Sequence, residues 1–184
     1  RQDLEFRLRR YLTFAEFKSE LAPHFGLGLE GYATWTSPIR KYSDMVNHRL
    51  IKAVLTQQAC EKPQDEVLAR LQEARRQNRL VERDIADWLY CRYLADKVAE
   101  NAELDAEVQD VMRGGLRVQL LENGASMFVP ASTLHPNKDE MQVNADELAL
   151  YIQGERRYKI GDLVKVKLTE VREETRSIIG QLII

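Results

Sequence analysis

Cysteine is scarce in this chain of 184 residues, and its scarcity excludes a good deal. Cys60 and Cys91 stand far apart, with neither the density of a disulfide framework nor the pair spacing of a metal or redox motif. Reduced thiols in a cytoplasmic protein are the expectation. The three histidines, His24, His48 and His135, are too scattered for a His-based metal site, and their positions support no Ser-His-Asp arrangement. No apolar run approaches a membrane span, and no signal peptide opens the chain. The first residues, Arg1-Gln2-Asp3-Leu4, lack an initiator Met, so a piece of a longer protein or a processed product is expected. An excess of positive charge is missing too: 27 Lys and Arg face 29 Asp and Glu, net −2. Overall balance therefore lends no support to nucleic-acid binding, and charge position must carry that case. Residues 1–100 hold 17 basic and 15 acidic side chains (net +2), and residues 101–184 hold 10 and 14 (net −4).

What is present suffices for a core, since 44% of residues are hydrophobic, enough for one or two small domains. Residues 1–21 mix Leu4, Phe6, Leu8, Tyr11, Leu12, Phe14 and Phe17 with charges and read as a short helix, broken by Pro23, Gly26, Gly28 and Gly31. Leu27–Trp35 reads as an extended segment or short strand. Ser37 suits an N-cap and Pro38 a first helical position, so a helix is predicted to begin there. Its expected buried stripe is Ile39, Tyr42, Val46, Leu50 and Ala53, leaving Arg40, Asp44, Asn47 and His48 on a polar face free to line a channel. A polar connector, 57–63, precedes a Gly- and Pro-free stretch, 64–100, with a helical stripe of Val67, Leu71, Ala74, Val81, Ile85 and Trp88. Its charged flank is Arg75, Arg76, Arg79, Glu82 and Arg83, and one helix or two joined by a bend fit equally.

Beyond Asn101 the period changes to two. Alternating runs at Leu104–Met112, Leu116–Leu120, Met127–Pro130, Leu163–Leu168 and Ser177–Leu182 are separated by Gly114-Gly115, by Asn123-Gly124, by a long excursion and by a charged turn at Arg172–Thr175. Five strands with one excursion between the third and fourth suit an OB-type barrel. The fold class is thus α+β: a mostly helical piece, 1–100, then a five-stranded barrel, 101–184.

Chemistry concentrates at Thr36–Asp44. A helix starting at Ser37 presents unpaired amides and a positive dipole end, yet Arg40 and Lys41 fall in its first turn. A bound anion would relieve that repulsion and gather the amides, the hydroxyls and both cations. Equally, Arg40 could pair with Asp44 one turn on.

The run Gly31–Arg49, containing Thr36-Ser37-Pro38-Ile39-Arg40-Lys41-Tyr42-Ser43-Asp44, resembles the signature near the end of the RNB catalytic domain that defines the ribonuclease II family. The likeness continues through Val81–Leu89 and into a barrel of the S1 type, and so covers most of the chain. It implies that 1–100 is the C-terminal part of an RNB catalytic domain and 101–184 an S1-type RNA-binding domain. It also implies a hydrolytic, processive 3′-to-5′ exoribonuclease that degrades single-stranded RNA to nucleoside 5′-monophosphates. On the matching motif Arg40 is the catalytic residue beside the scissile phosphate, with Thr36, Ser37 and Lys41 binding RNA around it. Glu82 is either a ribose-hydroxyl acceptor or the partner of Arg79 in an ordinary bridge. Arg113, Arg117, Phe128, Lys165 and Lys167 would hold the strand on the barrel, although Phe128 could instead be core, and Pro130 stands where such domains often carry a histidine. The family's Mg²⁺ would be held by aspartates upstream of any residue here. Asp44, Asp84 and Asp87, spread over two helices, read as helix-surface charges or partners of arginines, so no metal site is assigned to this chain. Single-stranded RNA is the expected partner and a monomer the expected state. The rival reading is a single-stranded RNA-binding module without chemistry.

Overall fold

The computed structural model describes Leu8 and residues 11–183. The helix expected over 1–21 falls in large part outside the described residues, and from Leu12 to Lys18 the chain has no regular structure. Two compact units form, Leu12–Val81 and one built on Glu82–Ile184. Helix α1 is Tyr42–Leu55 and helix α2 is Asp65–Ala99, a single helix of 35 residues, so the stretch free of Gly and Pro runs without a bend into a second helix.

In Leu12–Val81 the sequence reading needs correction. The helix begins at Tyr42, not after Ser37: Lys41 is its N-cap, and Ser37–Lys41 is a separate turn. The carbonyl of Ser37 accepts from the amides of Arg40 (3.3 Å) and Lys41 (2.9 Å), closing that turn before the helix starts. Leu27 closes a short 3-10 helix, Phe25–Leu27, Gly28 is left-handed, and the segment that follows to Trp35 forms no strand beyond an isolated bridge between His24 and Leu29. The expected stripe also shifts: Ile39 is fully exposed and Tyr42 half so, whereas Asp44 and Ala53 are the buried residues of α1. The helix turns toward the extended segment beside it, so polar positions become its inner face. Apolar side chains such as Phe14, Leu21, Phe25, Val54 and Leu55 remain exposed.

In Arg117 and its neighbours the period-two reading holds. Strands β1 (Glu103–Met112), β2 (Gly115–Leu120), β3 (Ser126–Pro130), β7 (Leu163–Arg172) and β8 (Ser177–Leu182) close into a five-stranded barrel in the order β1-β2-β3-β8-β7. The excursion between β3 and β7 carries a short helix, α3 (Ala131–Leu134), and a three-stranded sheet of β4 (Met141–Asn144), β5 (Ala149–Ile152) and β6 (Glu155–Lys159). Alternation places Val108, Leu116, Val118, Leu120, Met127, Val129, Val166 and Leu168 inside. Gly115 has φ +143°, and a Cβ there would stand 2.0 Å from the Val129 carbonyl oxygen, so only glycine lets β2 approach β3 this closely.

The C-terminal half of α2 packs on the barrel. Cys91 and Leu94 are fully buried, with Tyr90 and Val98 beside them. The Tyr90 hydroxyl donates to the Asn123 carbonyl (2.9 Å), and the Lys97 ammonium meets Glu122 at 3.3 Å, both on the β2–β3 loop. Arg176, between β7 and β8, reaches Asp84 at 2.9 Å. The predicted stripe positions Val81, Ile85 and Trp88 are instead exposed, because the burying face rotates to Tyr90, Cys91, Leu94 and Val98 where the barrel offers a surface.

Candidate functional site

Within Leu12–Val81 the turn Ser37–Lys41 gathers Thr36, Ser37, Arg40 and Lys41. Thr36, Arg40 and Lys41 are exposed and Ser37 is half-buried. The Arg40 side chain has no ion pair or hydrogen bond among the described residues, so its five donors are available. The pairing of Arg40 with Asp44 that spacing allowed is not formed. The free amides that the sequence suggested for an anion are not there either, since those of Arg40 and Lys41 are spent on the Ser37 carbonyl. What remains is an exposed guanidinium on a tightly hydrogen-bonded turn.

Asp44 makes that turn, and reading it as a surface charge was wrong. Its side chain is completely buried, the one buried charged residue among those described. One carboxylate oxygen accepts the Ser37 N–H at 2.9 Å and the other the Ser43 hydroxyl at 3.2 Å. A hydrogen bond from Thr34 holds its carboxyl below the ordinary aspartate range; burial opposes this, while Ser37, Ser43 and the Lys41 ammonium add to it. The acid stands in the first turn of α1, where the helix dipole favours a negative charge. That acidic position, three residues past the true N-cap, was the signal the sequence offered; choosing Ser37 as the cap obscured it.

The rest of the supposed polar face also grips the extended segment. Asn47 Nδ2 donates to the Thr34 carbonyl at 2.8 Å. His48 Nε2 lies 2.9 Å from the Trp35 carbonyl, and since a carbonyl only accepts, Nε2 carries the proton. The His48 ring stacks on Trp35 at 3.6 Å between centroids and 9° between planes. These side chains are scaffold, so the face is not free to line a channel as expected.

Along α2, Arg75 and Arg79 lie over the rings of Phe17 and Phe14, at 5.7 and 5.5 Å. Glu82 is exposed and forms no ion pair among the described residues, so the bridge reading fails. Asp84, by contrast, is the partner of an arginine, Arg176. No three His, Cys, Asp or Glu side chains among the described residues come close enough to share a metal ion.

On the barrel, register brings two predicted residues together. Phe128 on β3 faces Arg117 on β2 and Ile179 on β8, forming an outward row that continues to Asp110 on β1 and Glu170 on β7. Phe128 is half-buried and absent from the core, which removes the core alternative. Arg113 is exposed in the β1–β2 turn, whose Gly114 approaches the Phe128 ring. Lys165 and Lys167 are not part of this row. They pair in register with Asp105 and Glu103, and Asp105 precedes Asp110 by five positions, about 16 Å along the strand. Lys165 shares its charge with Asp105 at 3.5 Å.

Comparison with known proteins follows these two halves. The RNB domain model matches residues 1–57, and the S1 RNA binding domain model matches residues 97–182. The chain is 86% identical over 180 residues to Exoribonuclease 2 of Haemophilus influenzae strain 86-028NP, covering 98% of this chain and 27% of that protein. It is 82% identical to Exoribonuclease 2 of Mannheimia succiniciproducens and 75% identical to that of Pasteurella multocida, over 98% and 97% of its length. It therefore spans 27% of the length of each of these curated relatives. Its fold matches Mycoplasma genitalium RNase R in the apo form (TM-score 0.76) and in complex with ribose methylated single-stranded RNA (TM-score 0.77). Both matches are at 23% identity and cover 97% of this chain and 29% of the RNase R chain.

Proposed function

This chain belongs to the ribonuclease II (RNB) family, and from that membership we propose that it forms the C-terminal part of a hydrolytic, processive 3′-to-5′ exoribonuclease acting on single-stranded RNA. The observation that carries the reading is the unpartnered guanidinium of Arg40, presented on a turn that Asp44 and the Ser37 carbonyl hold in place. Hydrolysis joins a water oxygen to phosphorus and breaks the bond from phosphorus to O3′, which takes up the proton; a nucleoside 5′-monophosphate leaves. Negative charge gathers on the phosphate oxygens on the way, and a planar guanidinium meets two of them at once. Lys41 and Thr36 flank that contact. Ser37 contributes its backbone to the turn, and Glu82, exposed on α2, is a ribose-hydroxyl acceptor able to discriminate RNA from DNA.

The barrel holds the incoming strand, a base stacking on Phe128 beside Ile179 and phosphates tracking past Arg117 and Arg113. Lys165 and Lys167 guide the strand over a different stretch of the same surface.

The family uses a divalent metal, Mg²⁺ in this reading. The described residues do not fit it: they hold no acidic cluster, and the Asp44 carboxylate is taken up by hydrogen bonds. In this reading the metal is held by aspartates upstream of this chain, and the 184 residues alone would be inactive. A cytoplasmic monomer completes the proposal; no helix described is long and apolar enough to cross a membrane.

The test is Arg40→Ala and Arg40→Lys in the intact enzyme on labelled single-stranded RNA. Turnover is expected to fall far more than RNA affinity, with lysine a poor substitute. Unchanged turnover with reduced affinity would leave Arg40 as a mere contact.

A further inference from the structure

We propose that Asp44 is a positioning residue for the reaction, acting through the Ser37 peptide to fix the turn that carries Arg40; this rests on the reading of Arg40 given above. The Ser37 residue is held from both sides. Its N–H donates to the Asp44 carboxylate (2.9 Å), and its carbonyl accepts from the amides of Lys41 (2.9 Å) and Arg40 (3.3 Å). Asp44 thus stands one residue away from the backbone of Arg40 through hydrogen bonds alone. It also anchors the other flank of the turn, since the Asp44 amide donates to the Lys41 carbonyl at 3.1 Å.

Burial gives this arrangement its stiffness. The carboxylate has no exposed surface, so water cannot replace the Ser37 N–H when the turn moves, and breaking the bond would leave a buried charge short of a donor. Thr34, whose hydroxyl also lies 3.5 Å from that of Ser43, links the same carboxylate to the extended segment, and Asn47 and His48 tether that segment to α1 through the carbonyls of Thr34 and Trp35. The charged side chain facing Asp44 is Lys41; its other neighbours, Thr34, Ser37 and Ser43, are neutral. Arg40 is exposed on the turn that this frame holds. A long, flexible arginine reaches a scissile phosphate productively only if its Cα is fixed, and small displacements of such a group are costly to rate.

The experiment is a double-mutant cycle in the intact enzyme: wild type, Asp44→Asn, Arg40→Ala and the double variant, with kcat and KM measured on labelled single-stranded RNA. Asparagine keeps the size but replaces one accepting oxygen by a donor. If Asp44 works through Arg40, Asp44→Asn lowers kcat by about a hundredfold with little change in KM. It then has almost no further effect once Arg40 is alanine. Thr34→Val removes one donor to the carboxylate without removing the charge and gives a smaller loss in kcat alone, which keeps the test open should Asp44→Asn not fold. Additive losses, or a loss confined to thermal stability and KM, would overturn the positioning role while leaving Arg40 at the phosphate. An Arg40→Ala enzyme with normal turnover would overturn the underlying reading instead.

Discussion

Phe128 stands directly across β2–β3 from Arg117, its ring outward, while its strand neighbours Met127 and Val129 are sealed in the barrel core. Adjacent residues of β3 therefore divide into a surface that can touch a ligand and a surface that holds the barrel together.

That division predicts opposite phenotypes from neighbouring substitutions. Phe128→Ala should weaken single-stranded RNA binding by about 1–3 kcal/mol, the usual worth of one stacked base, while leaving the melting temperature nearly unchanged. Met127→Ala should cost stability of about 2–5 kcal/mol through the cavity it leaves. Fluorescence anisotropy with a labelled oligoribonucleotide and thermal melts separate the two.

Arg117 and Lys165 should differ in their salt signature. Arg117 forms no ion pair among the described residues, although Asp110 stands across from it, and so can neutralise a phosphate; Arg117→Ala should flatten the slope of log affinity against log salt by about 0.7. Lys165 already faces Asp105, and Lys165→Ala should change the slope less. A larger change at Lys165 would move the strand to the other stretch of the barrel.

Acid should loosen the Arg40 turn. The Asp44 carboxyl titrates below its ordinary range in the folded chain, so its stabilising contribution is complete above the unfolded-state value and fades as pH falls through the folded one. The difference in melting temperature between wild type and Asp44→Asn should stay constant from about pH 8 to pH 5 and shrink below about pH 4, near the free aspartate value. A difference that vanished already at neutral pH would mean that the carboxylate charge is not what holds the turn.

Thiol chemistry gives an independent check on how α2 meets the barrel. Cys60 is exposed, whereas Cys91 is buried, and burial, with Asp87 and Glu173 adding to it, pushes its thiol up. Maleimide should label Cys60 alone in the native protein and both cysteines in denaturant, as read by intact mass. Rapid native labelling at Cys91 would mean that α2 lifts off the barrel.

The barrel was legible because a period of two, marked by Gly114-Gly115 and Asn123-Gly124, leaves little choice of face or register. The excursion hid its own sheet, since β4, β5 and β6 are short and alternate poorly. Arg40 is singled out by its motif, and the structure leaves its side chain exposed. Its support was not legible: an aspartate on a helix normally faces water, and nothing local says that Thr34 and Ser37 will fold back over Asp44. The same reason misplaced Ile39, which periodicity assigned to the core of a helix that in fact starts three residues later. On α2, the stripe at Val81, Ile85 and Trp88 was read from spacing alone, whereas burial follows the side where the barrel sits.

Closure of the barrel joins β1 to β7 and β3 to β8, pairings between segments far apart in sequence. Bringing such distant partners together carries a loop-closure penalty before any contact rewards it, so this half of the protein should acquire its shape slowly and all at once. The outward row holding Phe128 does not exist until Ile179 arrives beside it, so that face of the barrel is complete only when the last strand has been made.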